Sequence, residues 1–154
     1  TSIFAENIYI DGTVESRCSI FTDTSGFWGN PSAFKLSTLP ADGGRVPVIR
    51  YDVSLASAYR AEIATPISFS SSPTLSDSTV FTGAVTVTQT SSSDMSGYQA
   101  ASTTPASNKR AYELTVAGST WFSASSLALY GGGNQTPYPS GSYKGIVLAT
   151  CIPL

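Results

Sequence analysis

Cys18 and Cys151, almost at opposite ends of a 154-residue chain, are its only thiols. Paired, they would close a loop of about 130 residues and stabilise the fold by roughly 4–5 kcal/mol in the chain-entropy picture. The alternative is two independently buried thiols, since buried free cysteine is common. The Ser/Thr-rich, Lys-poor composition has an extracellular character, which favours the bridge. Other reactive arrangements are scarce. Histidine is absent, which removes the commonest general base and metal ligand, and two cysteines cannot build a Cys₂His₂ or Cys₄ zinc site. Serines abound, but no G-x-S-x-G elbow or activating base accompanies them. Asp77, Asp94 and Glu62 are scattered, and no pair has a spacing that suggests acid/base work. Lys109-Arg110 is an isolated basic pair in a chain of net charge −2, which disfavours a nucleic-acid or anionic-membrane partner. These features argue against a hydrolase or a metalloenzyme, and no cofactor or metal is expected.

Binding chemistry is better represented. Phe27 and Trp28 sit in a Gly/Asn/Pro-rich loop, FTDTSGFWGNPS. They read either as an exposed anchor for a sugar or a neighbouring subunit, or as an aromatic plug over one end of the domain. Tyr130, Tyr138 and the GGG stretch between them read as a carbohydrate-binding loop or as a solvated turn. Asn134-Gln135-Thr136 is a formal glycosylation sequon, but Pro137 after it disfavours modification.

The elements that must position these residues are strands. The chain holds 26 Ser and 18 Thr with 13 Gly and 9 Pro, and charged residues make up only 12%. Ser and Thr compete with helical backbone bonds and Thr prefers sheets, while 41% apolar residues suffice for one core. Short apolar runs bounded by Gly, Pro, Asn, Asp or Ser predict strands at 34–39, 46–58, 79–88 and 142–152, with a shorter one at 67–69 and alternation at Tyr112, Leu114 and Val116. Gly118–Ser119 reads as a hairpin turn, residues 91–108 as an exposed loop with a short edge segment at 97–100, and 123–130 as the one helical contender, too short to stand alone. The spacing predicts an all-β sandwich or small barrel.

The first run is the most informative. From Ile3 to Val14, Phe4, Ile8, Ile10, Gly12 and Val14 share one face and Ala5, Asn7, Tyr9, Asp11 and Thr13 the other, with Glu6 the single polar residue on the apolar side. It lacks the basic start and long apolar core of a signal peptide and reads as a mature end. Such a segment must bury its apolar face, either as the first strand of its own sheet or as a strand donated to a neighbour's.

Three segments carry a resemblance. NIYIDGTVES (7–16) is similar to the amino-terminal strand of the alpha-type chaperone–usher pilins of colonisation-factor fimbriae, PSAFKLSTLPA (31–41) resembles their PSA-x-KL-x-x-x-PA segment, and SGSYKGIVLAT (140–150) resembles their final G-x-Y-x-G-x-V strand. Together they cover about a fifth of the chain in the family's order, and residues 60–135 match only in character.

The resemblance implies an incomplete immunoglobulin-like β-sandwich (13–154) completed by donor-strand exchange, with residues 1–12 as the extension. Phe4, Ile8, Ile10 and Gly12 would fill the hydrophobic groove of the neighbouring subunit, and Glu6 would keep its head in solvent. It implies a structural subunit of a bacterial surface fimbria that supports adhesion. Implied partners are related pilin subunits, a periplasmic chaperone and outer-membrane usher during assembly, and a host glycan or surface. The cysteine pair departs from the family's major subunits; in that fold it would join the strands bordering the groove. The competing expectation is an extracellular lectin-like or tip-adhesin sandwich that binds a glycan through its aromatic loops.

Overall fold

The computed structural model describes residues 3–13, 17–54, 57–91, 103–131 and 136–154. Ten strands form two antiparallel sheets: β1 (Arg17–Thr24), β2 (Gly29–Ser32), β3 (Lys35–Ser37), β4 (Val48–Ser54), β5 (Tyr59–Ala64), β6 (Thr79–Thr90), β7 (Thr103–Ala106), β8 (Lys109–Leu114), β9 (Gly118–Tyr130) and β10 (Leu148–Pro153). A 3₁₀ turn at Pro40–Asp42 joins β3 to the segment leading into β4. The first sheet runs β1-β4-β9-β3-β2, with β6 on the far edge of β9, and the second runs β10-β5-β8-β7. The architecture is thus all-β with two facing sheets.

Strand β9 organises the larger sheet. Its thirteen residues pair with β6 on one edge along almost their whole length, and with β4 and then β3 on the other. Thr120, Phe122, Ala124, Ser126, Ala128 and Tyr130 are buried, a strict two-residue alternation that sends every second side chain inward. The one helical contender in the sequence, 123–130, set aside there as too short, is part of this strand. The small residues there, weak strand formers by propensity, serve packing at the centre of the sheet. Beside them in the same sheet lie Ile49, Tyr51 and Val53 of β4, and across the interior Tyr59, Ala61 and Ile63 of β5 and Tyr112 and Leu114 of β8. The Phe122 ring meets Tyr51 at 5.4 Å between centroids and Tyr112 at 4.8 Å.

Tyr51 ties the two sheets together: its buried hydroxyl donates to the Thr150 carbonyl of β10 at 2.8 Å. Burial pushes that hydroxyl well above the ordinary tyrosine range.

Several boundaries depart from the periodicity reading. The predicted strands at 34–39, 46–58 and 142–152 are realised as the shorter β3, β4 and β10. Residues 67–69 make bends instead of a strand. The link after β8 crosses from one sheet to the other, so Gly118–Ser119 is not a hairpin turn. β7 lies inside the predicted loop at 91–108, and the expected edge segment at 97–100 falls outside the described residues. The sequon at Asn134, Asp94 and Val14 fall there as well.

Candidate subunit-docking groove

Strands β1 and β10 are the outermost strands of their sheets on the same side of the molecule, β1 paired only with β4 and β10 only with β5 among the described residues. The two are joined by a disulfide, Cys18–Cys151, with Cα atoms 6.5 Å apart. The bridge that the sequence left open is therefore made. Both cysteines sit opposite buried residues, Cys18 against Val53 and Cys151 against Ala61, so both side chains lean into the interior.

Away from the bridge the two edges part. Ile20, two residues on from Cys18 and opposite the fully buried Tyr51, points toward the core by the strand period yet is 38% exposed. On the opposite lip, Val147, Ala149 and Cys151 pack against the core only in part, and Ile146 is exposed. Between these lips opens a cleft of about 570 Å³, lined by Thr22, Pro47, Ile49, Pro66, Ile146 and Val147 among others. Two unpaired strand edges with free backbone donors and acceptors, and apolar side chains between them, form a surface suited to receiving another strand.

The segment with the matching pattern lies elsewhere in the same chain. Residues 3–13 form no strand with the chain's own sheets. Phe4 is 93% exposed, Ile8 88% and Ile10 98%. Large apolar side chains held this fully in water along one short segment are uncommon. Nothing surrounds Gly12 within van der Waals reach of a side chain. The structure thus brings Cys18 and Cys151 together and keeps Phe4, Ile8, Ile10 and Gly12 apart from the body.

Phe27 and Trp28 occupy the pole of the sandwich away from the disulfide, at the mouth of the cleft. Phe27 is half exposed, with the Arg45 guanidinium 4.9 Å over its ring. Trp28 is partly buried, edge-on to Phe69 at 6.1 Å, and its ring lies so close to Gly145 that a methyl there would sit 3.1 Å away. Phe69 in turn touches Phe81, Tyr138 and Tyr143, and Tyr138 stacks on Tyr130. Burial pushes the Tyr138 hydroxyl up to about 12. A second cleft of about 630 Å³ opens between Trp28, Asn30, Tyr138, Tyr143 and Lys144. The hydroxyls of Tyr138 and Tyr143 already donate to the carbonyls of Ala128 and Pro139, so these two tyrosines hold the loops together.

Among the described residues no three Cys, Asp or Glu side chains converge on a metal-sized site. Periodicity found the β10 wall as part of 142–152 but missed the other: β1 was hidden in a turn-rich stretch, and β5, which supports β10, was not expected. The signal that could have found β1 is the alternation Cys18, Ile20, Thr22. Searches of known protein families, of characterised proteins and of solved structures found no match to this chain.

Proposed function

We propose that the protein is a structural subunit of a bacterial surface fimbria that polymerises by placing its N-terminal segment, residues 1–12, into the groove between β1 and β10 of a neighbouring copy. The observation that carries this reading is the coexistence, in one chain, of a water-exposed alternating apolar segment and an apolar groove between two unpaired strand edges. Each needs what the other supplies. Burying Phe4, Ile8 and Ile10 is worth roughly 1.5–3 kcal/mol per side chain, and main-chain hydrogen bonds to the strand edges add about 0.5–1.5 kcal/mol each.

Strand order supports an immunoglobulin-like variant of the sandwich. The constant-type fold arranges A-B-E-D in one sheet and C-F-G in the other. Here β1-β4-β9-β6 follows the first order and β5-β10 gives C-F, with β7–β8 added beyond β5. The place beside β10 that a G strand would take is unfilled among the described residues, and it is the open side of the groove. The disulfide suits assembly outside the cytoplasm. On this reading a periplasmic chaperone and an outer-membrane usher handle the subunit before it joins the fibre.

The test is an unheated denaturing gel of the purified chain. A ladder of oligomers that is lost on deleting residues 1–12 is expected. A monomer that stays monomeric at high concentration, with the segment intact, would overturn the reading. The mixed aromatic and polar cleft at Trp28 favours a second reading, a glycan-binding module, and a deletion variant that still binds glycans while forming no ladder would establish it.

A further inference from the structure

The disulfide sits in an unexpected place for a groove that must admit a strand. A strand lying between two others needs about 4.7–4.9 Å to each neighbour, so the flanking strands must stand roughly 9.5 Å apart. At Cys18 and Cys151 the flanking Cα atoms are 6.5 Å apart, and the sulfur atoms fill the space between the sheets. No strand fits through that level. Further along, at Thr22, Pro47, Ile146 and Val147, the lips open into the cleft.

We propose that the Cys18–Cys151 bridge is the end wall of the acceptor groove and sets the register of the incoming strand. This rests on the donor-strand reading above. Direction follows from repetition: the extension leaves its own body next to Cys18, at the bridge pole. A head-to-tail chain that continues from copy to copy must therefore seat the next body at the opposite, cleft pole. The donated strand then runs antiparallel to β10, with Gly12 at the mouth and its earlier residues toward the bridge.

From Tyr143 to Thr150, the last residue before the wall, the acceptor lip offers eight positions, which take Ala5–Gly12. In this register Ile8 faces Val147, Ile10 faces Gly145, and Phe4 arrives at Cys151. The parity is consistent: Val147, Ala149 and Cys151 belong to the inward face, and so do the even-numbered donor residues opposite them. A slip by one residue would turn Phe4, Ile8 and Ile10 outward. Gly145, the position with the least side chain, stands opposite Ile10 beside Pro66 and Trp28. Residues before Phe4 lie outside the groove.

Hydrogen exchange read by mass spectrometry on fibres of the intact chain tests this. Amides from Glu6 to Gly12 are expected to exchange at least 100-fold more slowly than in the monomer, while those of Ser2 and Ile3 keep their monomer rates. Deleting residues 1–3 should leave ladder dissociation within about threefold. Slowed exchange at Ser2 and Ile3, or dissociation accelerated tenfold or more by that deletion, would show the strand passing the bridge and overturn the proposal while sparing the donor-strand reading. Absence of any ladder from the intact chain overturns both. In the double variant Cys18→Ala/Cys151→Ala, protection should spread past Phe4 to Ile3. A boundary that stays at Phe4 in a folded, assembled double variant would show that something other than the bridge stops the strand. Should that variant fail to fold, the exchange boundary in the unaltered fibre decides.

Discussion

Ile10→Ala separates the role of the N-terminal segment from the stability of the body. In the free chain Ile10 is 98% exposed and no part of the body depends on it, so the monomer should unfold within about 0.5 kcal/mol of the unaltered chain. In the proposed fibre the same side chain would enter the neighbour's groove. Truncating a buried isoleucine to alanine costs about 2–5 kcal/mol, and the lower part of that span applies to a lip that can relax. At about 1.4 kcal/mol per decade, a loss of about 2–4 kcal/mol accelerates dissociation roughly 30- to 1,000-fold. The assay mixes assembled fibre with an excess of tagged monomer and follows subunit exchange, alongside thermal melts of the monomer. Tyr9→Ala serves as the control, because Tyr9 lies on the opposite face of the same segment and is 78% exposed. Its effect should be several-fold at most. The reasoning is refuted if Ile10→Ala and Tyr9→Ala exchange at equal rates, or if Ile10→Ala lowers the monomer melting temperature by many degrees.

Two further predictions concern the body. Replacing both cysteines by alanine releases a loop of 133 residues and should cost about 5 kcal/mol in the chain-entropy picture, or about 15 °C in melting temperature for a chain of this size; calorimetry of the monomer checks this, and a shift of only a degree or two would refute it. Alkaline stability should report on Tyr51. Its hydroxyl holds its proton more tightly in the folded than in the unfolded chain, so its contribution is complete below about pH 10 and fades as pH rises beyond that. Tyr51→Phe should therefore melt lower at neutral pH, since it loses the bond to the Thr150 carbonyl, yet show a shallower decline above pH 10. An unchanged alkaline slope in this variant would contradict the assignment.

The all-β class was legible because Ser, Thr, Gly and Pro punctuate the apolar runs, and β4, β6 and β8 follow alternation visible in the sequence. Where partners in space set the pattern, the reading failed. β9 carries serines and alanines whose inward face is decided by neighbours on both edges. β1 reads RCSIFTDT, with inward positions Cys18, Ile20 and Thr22 too mixed in polarity to stand out. β5 holds Arg60 and Glu62 between its buried residues, which hid its strand character. The candidate site was half legible. The N-terminal alternation marks Phe4, Ile8 and Ile10 without a structure, whereas the groove is a property of two edges brought together by strand order. No local pattern encodes that.

The position of the bridge also bears on how such a fibre carries load. Tension reaching a subunit through its N-terminal tether arrives at the head of β1, beside Cys18. From there it crosses the sulfurs to Cys151 and leaves through β10, where the neighbour's strand is held in the proposed assembly. Most of the residues between the two cysteines lie off this path. A pulled filament would part at the docked strand before the body could unravel, and a subunit so released would keep its shape, ready to be captured again.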